Sequence, residues 1–328
     1  MYQMMSLPLY SGTFQEYDSW RDLGQELERL GCDGIEGVWG GEDLPKDLPA
    51  ELILGYHLIF YPDWLDFYRD DRAALKQKFG SLEAVASFYG GLGPDTLLEQ
   101  YRADLRRAVN LGARYVVFHV SDVSLEEGYT YRWLHTNQEV IDAAVEVVNL
   151  ILGEERWPFE FLVENQWWPG FTFTEPEETA RLLEGIRFAG KGILLDTGHL
   201  MNACTELKTE AEGADYIRSM LNRHGSLAKW VRGVHLHQSL SGAYVKAHTG
   251  LLPAGLPEDY GERFGVSYQH ILQIDQHRPW TDPAILPVLE QIGPRYLTHE
   301  LSSRGRMSRA EAMAAQARLF QQGGKMGV

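Results

Sequence analysis

Eight apolar runs recur along this chain, and the polar residues at their ends constrain the fold more than any other feature. The runs are nearly continuous and rich in β-branched and aromatic residues, which is typical of parallel strands buried on both faces. They are Leu7–Tyr10, Gly34–Val38, Leu52–Ile59, Tyr115–Val120, Phe159–Glu164, Gly192–Asp196, Val231–His237 and Arg295–Glu300. Histidines and carboxylates lie at or near the C-terminal ends of six runs: His57, His119, Glu164, Asp196, His199, His235, His237 and Glu300.

Amphipathic segments separate these runs. In Asp18–Leu30 the apolar residues recur at helical spacing, with one face apolar. Similar patterns predict helices over Thr96–Leu111, Asn137–Leu152, Pro176–Phe188, Glu210–Arg223, Asp282–Ile292 and Ser308–Phe320. Glycine follows three of the segments, at Gly31, Gly112 and Gly293, and a left-handed glycine commonly ends a helix.

The alternation of strands and helices predicts the α/β class and a (β/α)8 TIM barrel. We expect a single domain over residues 1–328, with the barrel core at about 5–322. A doubly wound sheet is the alternative, but no Gly-x-Gly-x-x-Gly motif follows the first strand. A parallel barrel gathers the C-terminal ends of its strands on one face, so the eight polar side chains should meet there.

Two connections are long, Phe60–Asp95 after the third strand and Gln238–Pro279 after the seventh. We predict long loops there. Both follow strand C-termini, so they should lie over the predicted site, as lids do. The same segments could instead form subunit interfaces in a homo-oligomer.

The amino-acid composition limits the kinds of molecule that this protein can bind. The chain has 30 lysines and arginines against 46 aspartates and glutamates, for a formal net charge of −16, and no dense basic run. This charge argues against a nucleic-acid partner, since phosphate polyanions are repelled. The two cysteines, far apart, form no disulfide framework. The sequence has no recognisable signal peptide or membrane-spanning run, so we expect a cytoplasmic protein with no membrane partner.

The predicted site has the chemistry of a divalent-metal centre. Glu164, Asp196, His235 and Glu300 end four successive strands. Carboxylates with one imidazole suit Mn²⁺ or Zn²⁺, and Mg²⁺ or Fe²⁺ would also be accepted. Glu164 and Glu300 could work as an acid–base pair, one removing a proton from a substrate carbon and the other returning it.

These motifs resemble those of the xylose isomerase-like TIM-barrel superfamily, which includes sugar isomerases and epimerases, dehydratases and endonuclease IV-type apurinic endonucleases (AP endonuclease family 2). The similarity covers nearly the whole chain. Its most specific piece is LLDTGHL, which contains Asp196 and His199, and VENQ, GVHLHQS and the late strand ending in Glu300 follow the family order. The resemblance implies that Glu164, Asp196, His235 and Glu300 are shared metal ligands.

The endonuclease IV-type branch implies further ligands. A second metal there takes histidines from strands three and four, which correspond to His57 and His119. A third metal takes the histidine after the Asp-Thr motif and an Asp-x-His pair after strand seven. We match these to His199 and to Lys246-Ala247-His248, where lysine replaces the aspartate and should weaken that third site. One or two metals per chain are therefore expected, with His248 as a candidate ligand.

Other residues are candidates for substrate binding. His199, Trp167 and Trp168 lie close to the predicted ligands, and the tryptophan faces would suit a sugar ring. Lys246 and Arg304 could hold a substrate anion. Glu36, near the end of the second strand, could line the pocket, although packing is the simpler interpretation.

The resemblance and the paired glutamates favour a metal-dependent sugar isomerase or epimerase that acts on a small carbohydrate or polyol. Two alternatives stay open. One is a phosphate-ester hydrolase related to endonuclease IV, in which several metals activate water, and His57 and His119 favour it. The other is a polyol dehydratase with the same proton-transfer groups.

Overall fold

The computed structural model describes residues 1–322 and forms a closed barrel of eight parallel strands in chain order. The strands are β1 (Tyr2–Leu9), β2 (Gly34–Trp39), β3 (Ile53–His57), β4 (Tyr115–His119), β5 (Glu160–Glu164), β6 (Lys191–Asp196), β7 (Val231–His235) and β8 (Tyr296–His299). All eight predicted strands are present, with boundaries shifted by a few residues, and β1 closes the barrel against β8. The predicted single-domain TIM barrel is confirmed, while residues 323–328 lie outside the described part.

The helices flank the strands. They are α1 (Ser11–Phe14), α2 (Trp20–Leu30), α3 (Leu65–Tyr68), α4 (Arg72–Phe79), α5 (Leu82–Tyr89), α6 (Pro94–Asn110), α7 (Leu125–Thr130), α8 (Asn137–Leu152), α9 (Pro176–Gly185), α10 (Thr197–Asn202), α11 (Glu210–His224), α12 (Gly242–His248), α13 (Tyr260–Ile274), α14 (Leu286–Ile292) and α15 (Arg306–Gln322). Helices α3 to α5 fill much of the connection after β3, and α12 and α13 occupy the one after β7. Glycines and prolines interrupt the apolar period in these connections, which hides such helices from a sequence reading.

Local sequence explains where the main helices begin and end. Thr136 and Thr209 form reciprocal capping boxes with the glutamates three residues later, which start α8 and α11. Gly31, Gly112 and Gly293 have φ values of 74°, 74° and 56°, which confirms the left-handed residues predicted after three helices. No helix within residues 1–322 is long and apolar enough to cross a membrane.

The core has two layers. Side chains inside the barrel, including Met4, Tyr115, Leu162 and Leu194, form a compact inner cluster. A larger cluster packs the outer strand faces against the helices. Since both strand faces are buried, the polar residues at the C-terminal ends are held in position by packing on two sides.

Gly170 lies where the segment after β5 crosses the end of β4. Its φ is 133°, and a Cβ atom there would lie 2.3 Å from the Val120 carbonyl oxygen and 2.8 Å from Ser121 Cα. We expect Gly170→Ala to destabilise the fold by about 2 kcal/mol or more, because backbone strain and a backbone clash add. Gly24→Ala is the matched control: nothing lies within 4 Å of the added methyl in α2, and alanine should stabilise the helix by up to ~1 kcal/mol. Urea denaturation of both variants measures this, and equal stabilities would contradict it.

Candidate metal centre

The barrel register places the candidate ligands side by side. His119 is paired with Glu164 across β4 and β5, and Asp196 is paired with His235 across β6 and β7. His57 ends β3, next to β4. Each side chain therefore lies at the C-terminal end of its strand, as the sequence predicts.

The first cluster joins His57, His119 and Glu164. The two histidine Nε2 atoms are 3.0 Å apart, and each lies 3.3 Å from Glu164 Oε2. His57 Nδ1 donates to the Leu58 carbonyl at 2.8 Å, so the Nε2 lone pair faces the cluster. Glu164 Oε2 has no hydrogen-bond partner among the described residues, although it is buried. Two imidazole nitrogens and one carboxylate oxygen thus converge on a single point.

The second cluster centres on His235 Nδ1. This atom lies 2.8 Å from Glu300 Oε2, 3.6 Å from Asp196 Oδ2 and 3.7 Å from Glu164 Oε1. Neither His235 Nδ1 nor Glu300 Oε2 forms a hydrogen bond within residues 1–322. These four are the residues that the sequence puts forward as the shared ligand set.

The third cluster contains two residues that the sequence analysis missed. Asp275 Oδ2 lies 3.2 Å from His199 Nε2 and 3.4 Å from His277 Nε2, and His237 lies beside them. His199 Nδ1 is 3.1 Å from the Asn165 carbonyl oxygen, which can only accept, so Nδ1 carries a proton and Nε2 is the ring nitrogen left for a metal beside Asp275.

Two contacts fix the segment that carries Asp275 and His277. Gln238 and Arg278 form an antiparallel bridge just past β7. The Ser302 amide donates to the His277 carbonyl at 2.9 Å. His277 adopts a φ of 45°, a left-handed conformation that a non-glycine residue rarely takes outside constrained sites. The chain is thus held so that His277 reaches the cluster.

All three clusters fit divalent metals. In the first and third clusters, and among Glu164, Asp196 and His235 of the second, one ligand atom per residue lies within 4.8 Å of the others. Ligands about 2.0–2.2 Å from one ion are themselves separated by roughly 3–3.5 Å, which matches the spacings above. Unpartnered buried atoms are costly in a protein interior, and a bound cation would satisfy them. Glu164 belongs to the first and second clusters, so the sites adjoin.

Electrostatics couples the ligands. Burial disfavours the charged form of Glu164, but His119 and His235 outweigh it and hold the pKa of this carboxyl well below its ordinary value. Burial likewise opposes protonation of His199, yet Asp196 and Asp275 raise the pKa of this imidazole well above the usual range. For His119 burial dominates and lowers the pKa. The ionised carboxylates attract positive charge. A divalent cation could supply that charge in place of the protons on the imidazoles.

The remaining predicted residues divide into two groups. The ring centroids of Trp167 and His199 are 5.0 Å apart, so Trp167 borders the centre, and Trp168 packs against Trp167. The structure does not bring Lys246, His248 or Arg304 to it. Lys246 pairs with Glu206 on the surface, His248 stacks on Tyr244, and the exposed Arg304 lies at the start of the segment leading to α15.

The match of the Asp-x-His pair to Lys246-Ala247-His248 is therefore wrong. The structure brings Asp275 and His277 of Asp275-Gln276-His277 to the third cluster instead. The motif is visible in the sequence as DQH, but it follows β7 by about 40 residues with α12 and α13 between. His248 is nearer in sequence, and helix α12 turns it away. A search for every Asp-x-His in the connection would have found the pair.

The family model of the xylose isomerase-like TIM barrel matches residues 25–322. The chain belongs to this family. Similar solved structures include a D-tagatose 3-epimerase-like protein (TM-score 0.52, 15% identity, 98% of each chain covered) and endonuclease IV from Thermus thermophilus (TM-score 0.51, 15% identity, 98% of this chain and 100% of that chain). Another is mannonate dehydratase from Streptococcus suis serotype 2 (TM-score 0.52, 12% identity, 100% of this chain and 98% of that chain).

At these identities the solved structures establish a shared fold and no particular reaction. No curated protein matches the chain. The family includes enzymes of several reaction types, so the choice among them depends on the geometry of the centre in this chain.

We expect His277→Ala to lower the metal content by about one equivalent per chain, because removing a ligand from a small cluster weakens binding strongly. His248→Ala is the matched control, since this exposed histidine lies on the same connection and contacts Tyr244 instead. Metal analysis after equilibrium dialysis against zinc compares them. Equal metal contents in the two variants would remove His277 from the ligand set.

Proposed function

We propose that this protein is a multinuclear metal-dependent hydrolase of small phosphate esters. The observation that carries this proposal is the position of Glu164, whose two carboxylate oxygens face different ligand clusters. Its Oε2 lies 3.3 Å from both His57 and His119, while Oε1 lies 3.0 Å from His199 and 3.7 Å from His235. A carboxylate in this position suits a bridge between two ions.

The same geometry disfavours the isomerase mechanism that the sequence analysis put first. A base that takes a proton from carbon needs a free oxygen directed at the substrate. Both oxygens of Glu164 are directed at imidazoles, and Gln166 Nε2 lies 3.3 Å from Oε1. Glu300 alone of the glutamate pair borders the opening. We therefore assign Glu164 to metal binding and not to proton transfer with carbon.

The donor set favours zinc. Imidazole nitrogens predominate in the first and third clusters, where His57, His119, His199 and His277 contribute. Imidazole suits zinc, whereas Mg²⁺ and Mn²⁺ prefer all-oxygen sets. The second cluster, with three carboxylates and His235, would also accept Mn²⁺.

Divalent metals held by these residues would supply a nucleophilic hydroxide near neutral pH and stabilise the charge that develops on a phosphate group. The residues of the chain define where the substrate enters. The side chains of His119, Glu300 and His277 are 18–20% exposed, while the other ligands are more deeply buried. Phe60, which is 46% exposed and packs 4.5 Å from the His119 ring, borders this opening. It would contact the organic part of the ester.

The charge of the chain argues for a small substrate. The chain has a net charge of −16, which repels a phosphate polyanion such as duplex DNA at long range. A small ester needs only the local field of the metal centre to offset its phosphate charge. We therefore propose a phosphorylated small molecule, such as a phosphorylated polyol or nucleotide.

The zinc-loaded protein should hydrolyse p-nitrophenyl phosphate or bis-p-nitrophenyl phosphate, and oxygen-18 from solvent water should appear in the phosphate product. Glu164→Gln should lower turnover by at least about 100-fold, because it removes the carboxylate charge that two ligand clusters share. His248→Ala, outside the clusters, should retain wild-type turnover. A zinc-loaded protein that leaves both esters intact, yet moves solvent deuterium onto the carbon of a ketose, would favour the isomerase instead.

Because the chain carries a net negative charge, we expect no binding to duplex DNA containing an abasic site below about micromolar concentration at physiological salt. Proteins that recognise DNA specifically normally bind far more tightly than this limit. Fluorescence anisotropy with a labelled abasic duplex measures this. Nanomolar binding, lost when unlabelled abasic duplex is added but not with intact duplex, would make damaged DNA the substrate and contradict the small-ester proposal.

A further inference from the structure

Glu36 is a fully buried carboxylate that points into the barrel from β2. Its Oε1 lies 2.8 Å from His235 Nε2. Its Oε2 accepts from Tyr115 Oη at 2.5 Å and from Thr298 Oγ1 at 2.9 Å. These contacts tie together residues from β2, β4, β7 and β8 beneath the metal centre.

This carboxylate adjoins the apolar cluster inside the barrel, to which Tyr115 belongs. Within residues 1–322 no lysine or arginine pairs with it, and His235 is its ion-pair partner. Burying a carboxylate is costly unless its oxygens are hydrogen-bonded. An apolar side chain would fill the space without that cost, so a packing role alone does not account for a glutamate here.

We propose that Glu36 is a positioning residue that fixes His235 as an Nδ1 ligand of the second cluster. A carboxylate can only accept, so His235 Nε2 carries the proton that it donates to Glu36. In the neutral ring that a metal binds, the lone pair is then on Nδ1, which faces Glu300, Asp196 and Glu164. Histidine ligands commonly have their other ring nitrogen held in this way.

His57 provides an internal comparison. Its Nδ1 donates to a backbone carbonyl, at Leu58, and its Nε2 faces the first cluster. In His235 the two ring nitrogens are exchanged: Nε2 donates to the Glu36 carboxylate, and Nδ1 faces the second cluster. A carboxylate makes the imidazole more basic than a carbonyl does, so Glu36 should strengthen metal binding in the second cluster as well as orient the ring.

The inference rests on the proposed metal centre but not on the reaction. We expect Glu36→Gln to weaken binding of one metal equivalent by roughly 10–100-fold, the usual effect of losing such a partner. Chelator competition with zinc measures the affinity, and the visible spectrum of the cobalt-substituted protein should change. Tyr115→Phe and Thr298→Val are matched controls, because each removes one hydrogen bond to Glu36 and leaves the contact with His235. Both should bind metal much as the wild type does.

Circular dichroism and thermal unfolding separate metal effects from misfolding. A folded Glu36→Gln variant with unchanged zinc affinity and cobalt spectrum would overturn the inference. Should that variant not fold, histidine nitrogen-15 chemical shifts of the zinc-loaded wild type still test it, because they report which ring nitrogen carries the proton. A proton on His235 Nδ1 would overturn it. If the wild type takes up no metal at all, the proposed metal centre itself fails.

Discussion

The buried carboxylate of Glu164 is the point on which the rest of the centre depends. Its two oxygens face four imidazoles at 3.0–3.7 Å, and its side chain is fully buried. A carboxylate there is tolerable only with positive charge around it. Without metal, that charge must come from protons on the histidines, and the carboxylates indeed raise the pKa of His57, His199 and His235 against the effect of burial. Protons and divalent metals would therefore compete for the same lone pairs.

The closed barrel makes this concentration of charge possible. Adjacent parallel strands bring His119 beside Glu164 and Asp196 beside His235, while apolar packing on both faces prevents the like charges from moving apart. The segments past β7 and β8 then add His277 and Glu300 from above, and Glu36 supports His235 from below. The centre is thus built in layers along the barrel axis, with most ligands at strand ends and with His277 and Glu300 on the connections that follow β7 and β8.

Sequence reasoning found what depends on local pattern. Apolar runs of one strand length that end in histidine or carboxylate identified His57, His119, Glu164, Asp196 and His235. In a parallel barrel the C-terminal ends of all strands lie on one face, so these residues had to lie close together. Sequence reasoning did not find Asp275 and His277. Their position is set by non-local contacts, with Arg278 bridging to Gln238 and Ser302 binding the His277 carbonyl, and no periodicity in the intervening 40 residues encodes them. The sequence placed Glu36 on a strand. Only the 2.8 Å distance between Glu36 Oε1 and His235 Nε2 shows that it holds this histidine and is more than a core residue.

The two histidines at the end of β7, His235 and His237, are separated by a single residue and belong to different clusters. Strand alternation predicts that His235 and His237 point the same way, on either side of Leu236, and they do lie on the same side, with Leu236 buried in the outer core. His235, one layer deeper, contacts Glu36 and presents Nδ1 to the second cluster. His237 lies a layer higher, where its Nε2 is 2.8 Å from Asp196 Oδ2 and its ring is 4.2 Å from that of His277. Asp196 thus contacts both histidines and joins the third cluster to the second, as Glu164 Oε1 does through His199 Nδ1 at 3.0 Å.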